Sequence, residues 1–325
     1  MMFRNLIIFL LSFCFAKQAY SQNEAHYAQY MFNGLYVNPG YTGSRGGFSA
    51  VALYRHQWQG IENGPRSANF AVHAPISNGL LSIGMHGNND RLGILIMNSA
   101  FATMALRFKL ASGENASRFA IGIQGGFKHF NINNREVNGT LPVNDPVFMN
   151  NFSGIGINGG AGIYLDAPNY FVGLSMPYML NNQIQYGSGS GEIKTNFDIS
   201  QIPIIASAGV IIKAGESLKI KPSVLLKQQS AMPTNIDLTL GFHIKEVFYI
   251  GASYRVNNAI LGIASVTISK KVRIGYAYET SINSTFSNTN IGTHEIMIGL
   301  DILRKENQVS KCNCKVINPR QFRYF

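Results

Sequence analysis

The sequence predicts an all-β fold, a transmembrane outer-membrane β-barrel of about fourteen antiparallel strands with both termini in the periplasm. Three observations predict it. Apolar and polar residues alternate through most of 217–303, as in Ile236, Leu238, Leu240, Phe242 and Ile244 against Asp237, Thr239, Gly241, His243 and Lys245. A strand turns successive side chains to opposite faces, so each such run has one apolar and one polar face. Charged residues make up only 13% of the chain, while Gly (33 residues), Tyr (15) and Phe (21) are abundant. That is poor in charge for a water-facing surface and suits a barrel with aromatic girdles. Finally, past an export-type N-terminus no uninterrupted apolar stretch reaches the roughly 18 to 20 residues of a spanning helix. An exported apolar chain without such a helix enters lipid only as a closed barrel, because unpaired backbone groups cost too much there.

In chain order, Arg4, the apolar run Leu6 to Ala16 and the small residues of Ala19-Tyr20-Ser21 read as a cleavable secretory signal over 1–21. Phe13 before Cys14 is not the small residue that a lipoprotein signal needs, so the mature chain is expected to start near Gln22. Residues 22–46 form an N-terminal periplasmic or lumen segment. It is polar and aromatic, lacks the alternation, and carries turn chemistry at Asn38-Pro39-Gly40 and Thr42-Gly43. Its Tyr and Asn groups suit it to plug or line the barrel base.

The barrel is expected over 47–304. The candidate strands are 47–58, 66–76, 79–88, 93–110, 117–130, 153–165, 169–179, 200–213, 217–229, 234–245, 247–256, 258–269, 270–280 and 293–304. The longest connections, 131–152, 180–199 and 281–292, all follow odd-numbered strands, whereas those after even strands are mostly tight. Outer-membrane barrels put short turns in the periplasm and long loops outside. An even strand number with both termini periplasmic explains that parity, and a soluble sandwich does not. The long loops, including Tyr186-Gly-Ser-Gly-Ser-Gly191, read as surface loops. A basic C-terminal tail, 305–325, follows.

Net charge is +11, falling to about +9 if Arg4 and Lys17 leave with the signal. The first reading is a basic lumen and rim facing water, with contact to outer-membrane lipid or an acidic partner as the alternative. No Arg/Lys stripe interleaved with aromatics argues for nucleic acid. The seven His residues show no metal-ligand spacing, so neither a metal nor a cofactor is expected. His73 and Ser82 sit on adjacent candidate strands, but no oriented base or oxyanion donor accompanies them, and no catalytic residue is assigned. The Gly cluster from Gly122 to Gly162 lies on strands with no helix to receive an anion, and strand packing accounts for it. Cys312 and Cys314 are too close in sequence for an unstrained bridge and read as two thiols in the basic tail.

Several motifs occur in order along the chain. They are Tyr27-x-Gln29-Tyr30-Met31-x-Asn33, then Asn38-Pro39-x-Tyr41-x-Gly43-Ser44, then Tyr54-Arg55-x-Gln57-Trp58-x-Gly60 with Pro65, Asn89-Asp90 before Gly93 as a turn, and Pro319-Arg320 to Tyr324-Phe325. In these the chain resembles the PorP/SprF family of Bacteroidetes outer-membrane proteins of the type IX secretion system and gliding machinery. It departs from the pattern in the inserted Gln321-Phe322-Arg323 and in Cys312-x-Cys314.

The resemblance implies a non-enzymatic barrel that binds or anchors a secreted surface adhesin bearing a C-terminal sorting domain, or links to a periplasmic peptidoglycan-associated lipoprotein. It nominates Tyr27, Gln29, Tyr30, Asn33, Asn38, Pro39, Tyr41, Tyr54, Arg55, Gln57 and Trp58 as partner-binding or structural residues. The alternative is a general diffusion porin or small-solute channel, if the N-terminal segment leaves the lumen open.

Overall fold

The computed structural model describes residues 25–76, 79–110, 116–133, 151–186, 191–230, 232–269, 271–282 and 291–303. The expected signal (1–21), most of the 131–152 and 281–292 connections, and the tail with Cys312 and Cys314 lie outside the described residues.

Among the described residues seventeen strands form in chain order. The first seven are β1 (Gly47–His56), β2 (Arg66–Ile76), β3 (Leu81–Leu92), β4 (Leu95–Lys109), β5 (Arg118–Ile132), β6 (Phe152–Asp166) and β7 (Tyr170–Met176). A separate hairpin follows, β8 (Asn181–Tyr186) and β9 (Gly191–Asn196). The rest are β10 (Ile204–Val210), β11 (Ile212–Lys213), β12 (Leu218–Gln228), β13 (Asn235–Ile244), β14 (Phe248–Arg255), β15 (Ala259–Ile268), β16 (Val272–Ser281) and β17 (Thr293–Leu303).

Apart from the hairpin, each strand pairs antiparallel with its neighbours in sequence, and β17 pairs back onto β1 from Gly47↔Leu303 to His56↔His294. β10 and β11 are one strand interrupted at Ile211, since both pair with β12 on one register, Ala206↔Leu226 and Ile212↔Ile220. Fourteen strands therefore close the barrel, the number that the alternation predicts. Closure leaves no edge with unpaired backbone, which is what permits strands to cross hydrocarbon.

Burial is inverted relative to a water-soluble protein. On β13 the apolar Leu238 and Leu240 are 49% and 44% exposed, while Asp237 between β12 and β14 is 1% exposed. The same holds around the wall, with Ile123, Ile157, Ile250 and Ile298 outside and Arg55, Arg107, Arg255 and Glu295 inside. An apolar exterior over a polar interior is the arrangement lipid selects. No helix among the described residues is long and apolar enough to cross a membrane.

The two ends differ. At one, short turns such as 167–169, 245–247 and 269–271 join the strands, and Gly47 and Leu303 lie there too. This is the short-turn end. The strand ends that flank 57–65, 133–151, 177–203 and 282–292 lie at the other, the long-loop end.

Three expectations need correction. Asn89 and Asp90 are not a turn: β3 runs on to Leu92, and the turn sits at Gly93 with φ 56°. Lumen-facing strand residues are polar, so Asn88 bonding to Asp90 inside the barrel reads in sequence like turn chemistry. β1 ends at His56, leaving Gln57 and Trp58 beyond it. The 180–199 stretch is not wholly loop, because it holds the β8–β9 hairpin. Those strands are six residues long and rich in amides, with too few apolar positions to announce a period.

Candidate functional site: the filled lumen and its mouths

Residues 25–46 occupy the inside of the barrel. They fold as three tight pieces, a 3-10 turn at Tyr30–Phe32, one helical turn at Gly34–Val37 and a second 3-10 turn at Pro39–Tyr41. The last follows from its sequence. The Asn38 side chain accepts the Gly40 N–H at 2.8 Å, and Pro39 supplies a preset φ at the first turn position. The segment runs the height of the lumen rather than sitting at the barrel base alone. His26 and Tyr27 meet wall residues Asp237 and Asn88 toward the long-loop end, and Arg45 meets Asp301 toward the short-turn end.

Its backbone and side chains are tied to the wall by residues far away in sequence. The Glu295 carboxylate accepts the N–H groups of Ala28 and Gln29, both at 2.9 Å. Asn33 donates to Asn69 at 2.5 Å, Asn38 to the Ile163 carbonyl at 2.9 Å, and Ser175 to the Val37 carbonyl at 2.7 Å. The Gly43 N–H donates to His73 Nδ1 at 3.0 Å. Arg107 donates to the carbonyls of Gly40 (3.2 Å) and Thr42 (3.3 Å) while pairing with Asp166. A lone backbone segment in a barrel must satisfy its polar groups this way or lose about 1–3 kcal/mol for each one left unpaired.

Two ion networks frame the segment. Arg255 grips both Asp237 oxygens (2.9 and 3.0 Å) and reaches Glu279 at 3.0 Å, which Arg55 also contacts at 3.0 Å. Arg55 then lies 3.7 Å from Glu295, so the chain of charges ends on the carboxylate that holds Ala28 and Gln29. Nearer the short-turn end, Asp301 takes Arg45 at 3.1 Å, Arg273 at 2.8 Å and the Ser49 hydroxyl at 2.7 Å. Charges buried in this fashion are retained because each has a partner, and removing one partner costs about 3–5 kcal/mol.

Apolar packing completes the fit. Tyr41 meets Tyr164 edge-on at 5.4 Å, Phe32 meets Tyr249 at 5.2 Å, and the Arg273 guanidinium lies 5.0 Å from the Phe32 ring centre. Gly122 is required here: a Cβ at this position would overlap the backbone of Pro39 and Gly40.

The nominated residues thus divide into groups. Tyr27, Gln29, Tyr30, Asn33, Asn38, Pro39 and Tyr41 are all buried in the lumen segment, Gln29 completely. Arg55 joins them through Glu295. Tyr54, one residue earlier on β1, points to the lipid side at 46% exposure. Gln57 and Trp58 stand at the long-loop end, where Trp58 adopts φ 54° and donates its N–H to the Thr293 hydroxyl at 3.2 Å. His73 and Ser82 both face inward against Gly43, and His73 Nδ1 is taken by the Gly43 N–H. Among the described residues no group of three or more His, Cys, Asp or Glu is placed to hold a metal ion.

The sequence did not disclose how the hairpin sits. Ile184 and Ile193 pack on Met97, Phe130 and Phe152, which folds β8–β9 onto the inner wall of β4–β6 at the long-loop end. Beside it lies an open polar cleft lined by Lys128, Asn158, Asn181, Gln201 and Lys227, among others. The Lys128 ammonium stands 3.8 Å from the centre of the Tyr178 ring. Asp198, half-buried on this rim, accepts the Ser200 hydroxyl at 2.7 Å and its N–H at 3.0 Å, which hold its carboxyl below the usual range.

Residues 19–300 match the family profile described as type IX secretion system membrane protein PorP/SprF. None of the curated proteins matches the chain. Similar solved structures include the Ralstonia pickettii toluene transporter TbuX, at 10% identity and TM-score 0.45 over 82% of this chain and 91% of that one. Acinetobacter baumannii Omp33 aligns at 8% identity and TM-score 0.42 over 79% and 98%. A Pseudomonas aeruginosa FadL homologue aligns at 10% and 0.41 over 89% and 96%.

Proposed function

The chain belongs to the PorP/SprF family of type IX secretion system membrane proteins and is an outer-membrane barrel of that machinery; from this premise we propose that it works without catalysis, by holding protein partners at its mouths. The partners we assign are a secreted surface adhesin, engaged through its C-terminal sorting domain, and a periplasmic peptidoglycan-associated lipoprotein. We place the long loops outside the cell and the short-turn end in the periplasm, in keeping with the usual loop asymmetry of such barrels.

The observation that carries this reading is the filled lumen. Residues 25–46 are bonded to the wall along its height, with Gln29 and Thr42 fully buried. A general diffusion porin needs an open path, and here that path requires the segment to leave against two buried ion networks. Partners are therefore met at the ends of the barrel rather than passed through it. The buried motif residues Tyr27 to Tyr41 act on this account by seating the segment. The residues placed to touch a partner are those of the rims, including Gln57, Trp58 and the β8–β9 hairpin.

Affinity purification of the tagged barrel from native membranes, with identification of everything retained, tests the proposal. A secreted surface protein or a periplasmic lipoprotein should be recovered in near-stoichiometric amount. A barrel that purifies alone counts against it.

A further inference from the structure

The two mouths differ in charge. Assigning each described ionisable residue to the end of the barrel it lies nearer, the long-loop half holds seven Lys and Arg against seven Asp and Glu. The short-turn half holds ten against four. Part of that excess is internal, with Arg107 on Asp166, Arg45 and Arg273 on Asp301, and Lys219 on Glu246. Four lysines at the rim, Lys109, Lys213, Lys245 and Lys271, are exposed and make no ion pair with a described carboxylate. On neighbouring strands Lys213 stands opposite Lys219, which Glu246 pairs, and Lys109 stands opposite Arg118, which faces Asp166 on its other side, so in each pair the compensated cation is the inner one and the exposed lysine is left at the rim.

We infer that the short-turn mouth is a cationic docking ring for an acidic polypeptide segment of a partner protein.

The strand parity says where these charges point. On β4 the inward set is Phe101, Thr103, Ala105 and Arg107, and Lys109 continues it. Lys213 continues the inward set of β10 and Lys271 precedes that of β16, while Lys245 stands in the turn that follows β13. The outward positions beside them are apolar, among them Phe108, Ile212, Phe248 and Ile268. The positive charge is therefore spread around the mouth, and that of Lys109, Lys213 and Lys271 falls on the lumen side of the wall, away from lipid headgroups. The chain's own tail does not neutralise it, since from residue 304 onward it has six Lys and Arg against one Glu. A second copy mouth to mouth repels for the same reason. Carboxylates are interspersed in the ring, Glu216 and Glu246 among them, and this mixed pattern suits an acidic polypeptide better than the denser phosphate array of a nucleic acid. Such a ring raises the rate of encounter and sets partner choice, and it weakens with salt.

The turn that carries one of these lysines is itself unusual. Lys245 and Glu246 have φ of 49° and 57°, both in the left-handed region where Gly and Asn are the ordinary occupants. Charged side chains are kept there at a backbone cost of about 1–2 kcal/mol per residue.

This inference rests on the reading of the chain as a partner-binding barrel and gives that partner a charge and a mouth. The test uses the full chain in nanodiscs of zwitterionic lipid, with a fluorescent poly-glutamate peptide as probe. The variant Lys109→Gln, Lys213→Gln, Lys245→Gln, Lys271→Gln removes the exposed ring while the basic tail stays in place. Poly-glutamate should bind, with affinity falling steeply as salt rises, and the variant should lose about tenfold or more. Changing Arg66→Gln and Lys194→Gln at the other mouth should leave binding within about twofold. No binding, or binding indifferent to the ring, overturns the inference. So does oligo-dT binding as tightly as poly-glutamate with the same dependence on the ring, which makes the mouth a general polyanion surface. Folding of each variant is checked by heat-modifiable gel mobility, and any that misfolds is replaced by Lys→Arg controls, which must bind like the parent. If the four-lysine variant still retains a native partner in full on affinity purification, the ring is wrong and the partner-binding reading stands.

Discussion

The carboxylate of Glu295, on the last strand, accepts the backbone N–H of Gln29, in the lumen segment, at 2.9 Å across 266 residues of sequence. Its other oxygen takes the Ala28 N–H, and Arg55 stands behind it at 3.7 Å. Glu295→Ala leaves two buried N–H groups and part of an arginine unmatched. A loss of about 3–5 kcal/mol is expected, read as a lower temperature for the heat-modifiable shift in gel mobility. Hydrogen exchange should accelerate at residues 28 and 29 first. Glu295→Gln keeps one acceptor and should lie between.

Gly122→Ala tests the fit of the segment against the wall. The new methyl overlaps the Pro39 and Gly40 backbone, which is not the flexible end of a side chain, so the segment itself must shift. The barrel, closed by the same strands, should still form, with the segment displaced. Limited proteolysis should then cut within 25–46 in the variant and not in the parent.

Alternation was enough to read the fourteen strands because the wall is the one part of the molecule governed by a period-two rule. Ile236, Leu238 and Leu240 face lipid whatever the interior does. The interior was legible only in outline. The lack of alternation in 25–46 says that the segment is no strand, but Glu295 meeting Gln29 or Asn69 meeting Asn33 depends on closure bringing distant residues together. Asp90 misled for a related reason, since inward strand positions and turns favour the same polar residues, and Asn89 beside it faces outward near the strand end, where it donates to Asn98. The charge difference between the mouths needed the strand directions, because the basic and acidic residues are mixed along the sequence and sort only when alternate strand ends are gathered.

Asp301 lies between Arg45 and Arg273 at 3.1 and 2.8 Å. Asp301→Ala leaves two guanidinium groups facing a site with no carboxylate, and a loss of about 3–5 kcal/mol is expected. Adding Arg45→Met should recover part of that loss, so the double variant is more stable than the sum of the singles by about 1 kcal/mol or more. Additive losses would mean that the pair is not coupled. The measurement is the urea midpoint of unfolding in detergent or lipid.

Leu240, on the outer face in the middle of β13, is predicted to face hydrocarbon. Leu240→Arg should destabilise the folded barrel by about 2–4 kcal/mol in lipid. Thr239→Ala, one residue away and facing inward, removes its bond to the Ser253 hydroxyl at 2.8 Å and its contact with the Tyr30 hydroxyl and should cost about 1–2 kcal/mol. The reversed order would place the wall inside out.

Conductance of the purified barrel in planar bilayers tests the central claim, that the chain's own N-terminal segment fills the lumen and partners act at the mouths. The account predicts a silent barrel in the absence of partners, with current appearing in the Gly122→Ala variant. Large, steady, partner-free currents from the unaltered protein would contradict it and return the chain to the class of open channels.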